Sequence, residues 1–172
     1  MKNIKFGAIV LIFLTVFLST AQDKPAAAGK KTFYPHNIGA AAGFVTGYGL
    51  SYRHWFPNRY GFQLTFAPFY SNTDSTKFQS LSAGLTALRI FKQSRFVNLF
   101  GYAGVHGYYR YNEFIGEPSH KTKMLYLGAG PGFDIHFWHL SVNIMFGLTG
   151  RLELPDNFGG QFSAETALYY SF

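Results

Sequence analysis

Apolar residues alternate strictly with small or polar residues along much of this chain. In the clearest stretch, large apolar side chains occupy every second position, namely Leu140, Val142, Ile144, Phe146 and Leu148. The intervening positions are mostly small or polar, since they hold Ser141, Asn143, Met145 and Gly147. A period of two belongs to a β-strand whose two faces meet different surroundings. The sequence therefore predicts a sheet protein.

The alternation predicts eight strands, at about 37–46, 47–56, 61–70, 78–91, 96–111, 123–137, 140–149 and 161–172. Many exceed the usual length of about five or six residues in soluble proteins. They suit the roughly 9 to 11 residues that a tilted strand needs to cross a bilayer. Short connections at 57–60, 92–95 and 138–139 alternate with longer polar ones at 71–77, 112–122 and 150–160, while the first outer connection, around Thr46 and Gly47, is tight. Outer-membrane barrels keep their short turns in the periplasm.

The composition favours a barrel that faces lipid. Aromatic residues make up 20% of the chain and charged residues 13%, where a soluble domain carries about 25% charged residues. A soluble barrel of the lipocalin type would need a charged outer face, but the non-apolar faces here are mostly Gly, Ser, Thr, Asn and Tyr. The predicted fold is all-β, an eight-stranded antiparallel up-and-down transmembrane β-barrel.

The N-terminus predicts export. Lys2 and Lys5 precede an apolar run over residues 9–18, and small residues lead to a cleavage site after Ala21, which is typical of a secretory signal peptide. We therefore predict a signal peptide over residues 1–21, a flexible periplasmic leader over 22–36 and a barrel domain over 37–172. The chain has no Cys, which excludes disulfides and lipoprotein acylation. The predicted location is the cell outer membrane.

Four charged residues are predicted to face the lumen, in two layers of zero net charge. Arg53 and Asp134 lie near the periplasmic end, and Arg110 and Glu165 near the outer end. An eight-stranded barrel is just wide enough for side chains to fill it, and an unpaired buried charge is costly. We therefore predict two ion pairs that close the lumen; the alternative is a path for ions or small solutes.

Two further lumen residues, His106 and His136, are predicted to form hydrogen bonds. A metal site is the alternative, but no third ligand stands at a recognisable spacing. We predict neither a metal nor a cofactor.

One position breaks the pattern on the outer face. Alternation with Leu85 and Ala87 directs Arg89 toward lipid. A bulge near Gly84 would switch the faces, or the Arg89 side chain would reach the headgroups. Aromatic residues at the strand ends, Trp55 and Trp138 among them, predict a periplasmic girdle, while Tyr48 and Tyr108 are expected in an outer one.

The last strand carries the most specific pattern. Apolar or aromatic residues fill most of one face, which consists of Phe162, Ala164, Thr166, Leu168, Tyr170 and Phe172, and the sequence stops there. This resembles the C-terminal signal of outer-membrane barrels, which implies recognition of Leu168, Tyr170 and Phe172 by the barrel-assembly machinery. The chain from Ile38 onward is similar in length and architecture to small eight-stranded barrels of the OmpX and OmpA-membrane-domain kind. No peptidoglycan-binding domain is expected after the barrel.

An enzymatic alternative rests on three residues. His139, Ser141 and Glu153 resemble the His-x-Ser and later Glu of outer-membrane lipid A deacylases, in which Ser is the nucleophile and His the base. The predicted topology separates Glu153 from the other two by roughly nine residues of strand at about 3.3 Å each. We therefore predict that the chain is not an enzyme.

The predicted function is a structural or surface-interaction role in the outer membrane; a narrow channel or small-solute binder is the alternative. Outer-membrane lipids are the expected partners, including lipopolysaccharide, because the net charge is +7 and Lys121, Lys123 and Arg151 lie in or beside the outer connections. No nucleic-acid partner is predicted.

Overall fold

The computed structural model describes residues 34–73, 76–94, 96–114, 119–153 and 157–172. Eight strands occupy them: β1 (His36–Gly43), β2 (Gly47–Trp55), β3 (Tyr60–Thr73), β4 (Thr76–Gln93), β5 (Val97–Phe114), β6 (His120–Phe137), β7 (Leu140–Glu153) and β8 (Asn157–Ser171). Each strand pairs antiparallel with the next, and β8 pairs with β1, which closes the ring. The predicted fold is confirmed. The predicted signal peptide and the leader up to residue 33 lie outside the described residues.

The strands extend further at the outer end than predicted. Stretches expected as outer connections, such as 71–73 and 150–153, continue as strand, and β4, β5 and β6 each have 18 residues. Their polar side chains suggested loops, but the backbone stays paired, for example between Asn72 and Lys77. In contrast, β1 has eight residues and β2 has nine. The prediction of strand at 44–46 is wrong, because these residues form the β1–β2 turn.

Large apolar side chains cover the outside of the barrel. Along β6 and β7 the alternating exposed residues include Leu125, Leu127, Phe133, Phe137, Leu140, Ile144 and Phe146. Their neighbours on the other face, such as Gly130, Asp134 and Asn143, are buried. The apolar face therefore points outward and the polar face inward, the reverse of a soluble barrel. The described residues contain no helix long and apolar enough to cross a membrane.

The predicted periplasmic girdle needs one correction. Trp55 does not join the girdle, because its side chain is buried in the lumen beside the ring of Phe100. It has the same parity along β2 as the buried Ser51 and Arg53, so alternation directs it inward. Trp138 is 96% exposed. The girdle therefore keeps one of the two tryptophans.

The position of Arg89 is explained without a bulge at Gly84. Pairing of β4 with β5 runs unbroken through Gly84 and shifts only between Ile90 and Lys92. The Arg89 guanidinium lies 5.3 Å from the centroid of the Tyr60 ring and 5.9 Å from that of the Phe91 ring. Both rings belong to the end of the barrel that holds the short turns, so Arg89 lies among the aromatic residues at the strand ends.

Candidate functional site: the lumen and its plug

The short β1–β2 turn folds into the barrel. We call its residues 44–46 the lumen plug. Val45 and Thr46 are fully buried, although a turn between two strands would ordinarily be exposed at the rim. Gly47 and Gly49 have φ angles of 78° and 125°, a region that favours glycine. These two glycines allow the chain to leave the barrel wall, and β2 pairs with β3 only as far as Leu50 opposite Phe66.

Glycines on the facing strands receive the plug. A methyl group added to Gly128 would collide with the Val45 side chain, and one added to Gly84 would collide with the Thr46 carbonyl. At Gly104 an added Cβ would lie 3.1 Å from Val45 Cγ1. These glycines belong to β4, β5 and β6, so the plug reaches across the lumen. Their missing side chains provide the space that the plug occupies.

A buried carboxylate holds the plug from the opposite wall. The backbone N–H of Val45 donates to Glu165 Oε1 and that of Thr46 donates to Oε2, each at 3.0 Å. Hydrogen bonds to an ionised carboxylate are about twice as strong as neutral ones. Both oxygens of the carboxylate are therefore engaged by two consecutive backbone groups of the turn.

A histidine fixes the other side of the turn. His106 Nδ1 lies 2.9 Å from the Phe44 carbonyl oxygen, and Nε2 lies 2.9 Å from Ser82 Oγ. Because a carbonyl oxygen can only accept, Nδ1 carries a proton. Ser82 Oγ also accepts the N–H of Tyr48 at 3.2 Å, so its own proton is available to Nε2. A neutral imidazole satisfies every partner, and a metal is not needed to explain this histidine.

The predicted outer ion pair does not form. Arg110 is exposed, and its guanidinium lies 5.0 Å from the centroid of the Phe78 ring. Glu165 is instead bound by the plug backbone. The prediction assumed that the nearest lumen cation would pair with Glu165, but two peptide N–H groups of the folded-in turn donate to its carboxylate instead.

The predicted inner pair is brought together. Arg53 is fully buried, and its Nη1 lies 3.7 Å from Asp134 Oδ1, which is longer than a hydrogen bond. Arg53 Nη2 donates to Gln63 Oε1 at 2.7 Å. Its guanidinium also lies 4.2 Å from the centroid of the Tyr169 ring, within the range of a cation–π contact. Several partners, rather than Asp134 alone, hold this charge.

Polar neighbours surround the carboxylate of Asp134. His136 Nε2 lies 3.2 Å from Asp134 Oδ2 and 2.8 Å from Asn98 Nδ2. Asp134, Asn98 and Arg53 are buried, so they fill the lumen at the periplasmic end. Within the described ranges, no three His, Cys, Asp or Glu side chains come close enough to hold a metal ion.

The residues of the alternative catalytic triad are held apart. His139 Nδ1 lies 2.9 Å from the Ser171 carbonyl oxygen, and Ser141 is buried in the lumen near the start of β7. Glu153 is the last residue of the same strand. An extended strand of this length separates its ends by roughly 40 Å at about 3.3 Å per residue, so Glu153 cannot orient His139.

The three residues of the C-terminal pattern share the outer face of β8. Leu168, Tyr170 and Phe172 are all exposed, while Tyr169 and Ser171 are buried. The Phe172 N–H donates to the His36 carbonyl oxygen at 2.9 Å, which joins the two ends of the barrel. Their role as an assembly signal remains a prediction.

The fold resembles solved barrels from the bacterial outer membrane. Neisserial surface protein A is 12% identical, with a TM-score of 0.52 over 80% of this chain and 94% of that protein. The N-terminal β-barrel domain of OprF from Pseudomonas aeruginosa is 15% identical, with a TM-score of 0.53 over 80% of this chain and 95% of the domain. The chain has the fold of small outer-membrane β-barrels. No family model matches the sequence, and no curated protein matches it.

Proposed function

We propose that this protein is an outer-membrane β-barrel with a closed lumen and a structural or surface-interaction role. We further propose that residues 1–21 are cleaved during export. Its outer surface has the apolar character that a bilayer requires, because leucine and phenylalanine side chains are exposed along the strands. Outer-membrane lipids, including lipopolysaccharide, are the proposed surroundings, and the barrel-assembly machinery is the proposed partner during insertion.

The observation that carries the closed lumen is the plug on Glu165. Val45 and Thr46 are fully buried at the outer side, and the Arg53 cluster fills the inner side. Transport of a solute would require the plug to leave Glu165 and the Arg53–Asp134 pair to separate, and breaking a buried ion pair such as the latter costs about 3–5 kcal/mol. A structural or surface role fits this interior better than a permanent channel.

The experiment that tests membrane insertion is gel mobility of the protein extracted from outer membranes, unheated and boiled. A folded barrel resists the detergent and migrates differently until it is boiled, so we expect a heat-dependent shift in the outer-membrane fraction. Protein that is free in the periplasm and shows no shift would contradict the proposal. Planar-bilayer recording of the folded protein tests the closed lumen, and a steady conductance would favour the channel alternative.

We propose that the barrel has no enzymatic activity on lipid A. The separation of Glu153 from His139 along β7 supports this view. The mass spectrum of lipid A from cells with and without the protein is expected to be the same. Loss of an acyl chain only in cells that contain the protein, abolished by His139→Ala, would contradict it.

A further inference from the structure

Two adjacent strands of the barrel stop well before their neighbours at the outer end. β1 pairs with β8 as far as Ala42 opposite Thr166, and β2 pairs with β3 as far as Leu50 opposite Phe66. Beyond those positions, residues 67–73 of β3 pair only with β4, and residues 157–165 of β8 only with β7, among the described residues. We call the space between these two stretches the wall gap. It exists because the β1–β2 turn is folded inward as the plug.

The edges of the wall gap are apolar. On β8, Phe162 is 75% exposed and continues the outward row of Leu168, Thr166 and Ala164. On β3, Pro68 and Tyr70 continue the outward row of Leu64 and Phe66. Proline has no N–H to leave unpaired, which suits it to a sheet edge. The gap therefore opens onto the apolar outer surface.

Aromatic side chains line the lumen behind the gap. We call this part of the lumen the outer vestibule and define it by Tyr48, Phe78, Tyr108, Tyr126, Arg110 and Arg151; Phe44 of the plug lies against it. In a ring of eight strands, β5 and β6 stand opposite β1 and β2, so the gap faces Tyr108 and Tyr126 across the barrel. The ring centroids of Phe44 and Tyr126 are 5.6 Å apart, and those of Tyr48 and Tyr108 are 5.8 Å apart. Tyr48 and Tyr108 thus line the lumen and do not form the outer girdle expected from the sequence.

The charge of the vestibule is positive. Arg110 contacts Phe78 and Asn112, which are uncharged, and no carboxylate of the described residues forms an ion pair with it. Arg151 has the inward parity of β7, and its Nη2 lies 3.9 Å from Glu153 Oε2. An exposed pair at that distance contributes little. Glu153 shares the inward parity of Arg151, so the charged groups of the described residues on this side of the lumen are two guanidinium groups and one carboxylate, which leaves a net positive charge. Guanidinium binds carboxylates in a bidentate manner.

We propose that the outer vestibule binds a membrane-resident fatty acid, with its carboxylate at Arg110 and Arg151 and its chain leaving through the wall gap. The inference rests on the proposed membrane insertion. The plug closes the route downward, and the apolar edges of the wall gap favour a chain that extends sideways between β3 and β8. An eight-stranded barrel holds side chains or one small ligand, which admits one alkyl chain and excludes a lipid with several.

The binding experiment uses the folded full-length barrel in phosphatidylcholine nanodiscs, with dibrominated stearate as a contact quencher of tryptophan. The native Trp55 and Trp138 lie at the periplasmic end, so Phe69→Trp on the edge strand β3 adds a reporter beside the vestibule. We expect saturable quenching at position 69. A reporter at Phe133→Trp, which is exposed on the outer face of β6, senses only fatty acid dissolved in the lipid and is expected to show no saturation.

The headgroup contact is tested by replacing both vestibule cations. Arg110→Gln with Arg151→Gln is expected to weaken saturable binding at least about tenfold, because charge-assisted hydrogen bonds are lost. Lys121→Gln with Lys123→Gln removes the same charge from the exposed part of β6 and is expected to leave binding unchanged. The methyl ester of the same fatty acid is expected to bind the wild type and the double arginine variant equally.

Quenching at position 69 that never saturates would overturn the inference. An equal loss of affinity in the arginine and lysine variants would overturn the inference as well. The loss would then come from the overall positive charge of the surface and not from a specific contact in the vestibule. Gel mobility separates this failure from that of the proposed function. A barrel that shows the heat-dependent shift but no saturable binding refutes only the fatty-acid site, whereas absence of the shift refutes membrane insertion itself.

Discussion

The carboxylate of Glu165 accepts a hydrogen bond from the backbone N–H of Thr46 at 3.0 Å, across 119 positions of sequence. Glu165 lies on the last strand and Thr46 in the first turn, so the contact joins the two ends of the barrel sequence. Because of this contact, the β1–β2 turn lies across the lumen as a plug and not at the rim of the barrel. The closed interior and the wall gap both follow from this one arrangement.

Glu165→Gln is expected to destabilise the barrel and loosen the plug. The amide keeps the size of the side chain, but its NH₂ group opposes one of the two backbone donors, so one N–H loses its partner at a cost of about 1–3 kcal/mol. Urea unfolding in lipid vesicles measures the loss, and planar-bilayer recording is expected to show brief openings. Glu113→Gln is the matched control, because that residue forms an exposed pair with Lys77; equal effects of the two changes would contradict the role of Glu165.

Removing only the partner of Arg53 is expected to lower the free energy of unfolding more than removing both charges. Asp134→Asn leaves the fully buried Arg53 guanidinium without its counter-charge, which destabilises by about 3–5 kcal/mol. Arg53→Met combined with Asp134→Asn is expected to recover part of that loss, as a double-mutant cycle of unfolding free energies would show. If Asp134→Asn left the free energy of unfolding unchanged, Asp134 would not be the counter-charge of Arg53 and the pair would not help to hold the lumen closed.

Gly128→Ala is expected to disturb the plug through steric contact. The added methyl group collides with Val45 Cγ2 and also meets the Leu148 carbonyl oxygen, and overpacking of this kind costs about 1–3 kcal/mol. Gly107→Ala makes the same change on a neighbouring strand, where the nearest atom to the new Cβ is 3.9 Å away. We expect the control to unfold at the same urea concentration as the wild type or slightly higher. If Gly128→Ala lowered the stability no more than Gly107→Ala, Val45 would not pack against Gly128.

Leu85→Arg tests which surface meets lipid. Leu85 is exposed on the outer face of β4, and a charge near the middle of the apolar band of a membrane barrel costs about 2–4 kcal/mol. Leu85→Met keeps the apolar character and is expected to have a small effect. The comparison uses unfolding in lipid vesicles. If Leu85→Arg were as stable as Leu85→Met there, the outer face would not be in contact with hydrocarbon.

The architecture of this protein could be predicted from side-chain alternation along the chain. Alternation of the kind seen from Leu140 to Leu148 fixes which side of each strand faces lipid, because successive side chains of a strand point to opposite faces. It also placed Arg53 and Asp134 in the lumen, and the structure brings them into contact. Strand number and strand faces are local properties of the chain, so a local pattern is enough to predict them.

How the lumen is closed depends on contacts between residues that are far apart in the chain. The local sequence at Phe44, Val45 and Thr46 predicts that the strand continues. Nothing in that sequence indicates that Glu165 will bind the backbone of these residues. Backbone donors have no sequence signature, because every residue other than proline carries one. Gly47 and Gly49 are the sequence feature that could have indicated an unusual turn, because their positive φ angles let the chain leave the barrel wall. The direction in which that turn then folds depends on Glu165 and on the space at Gly84 and Gly128, which only the closed ring brings together.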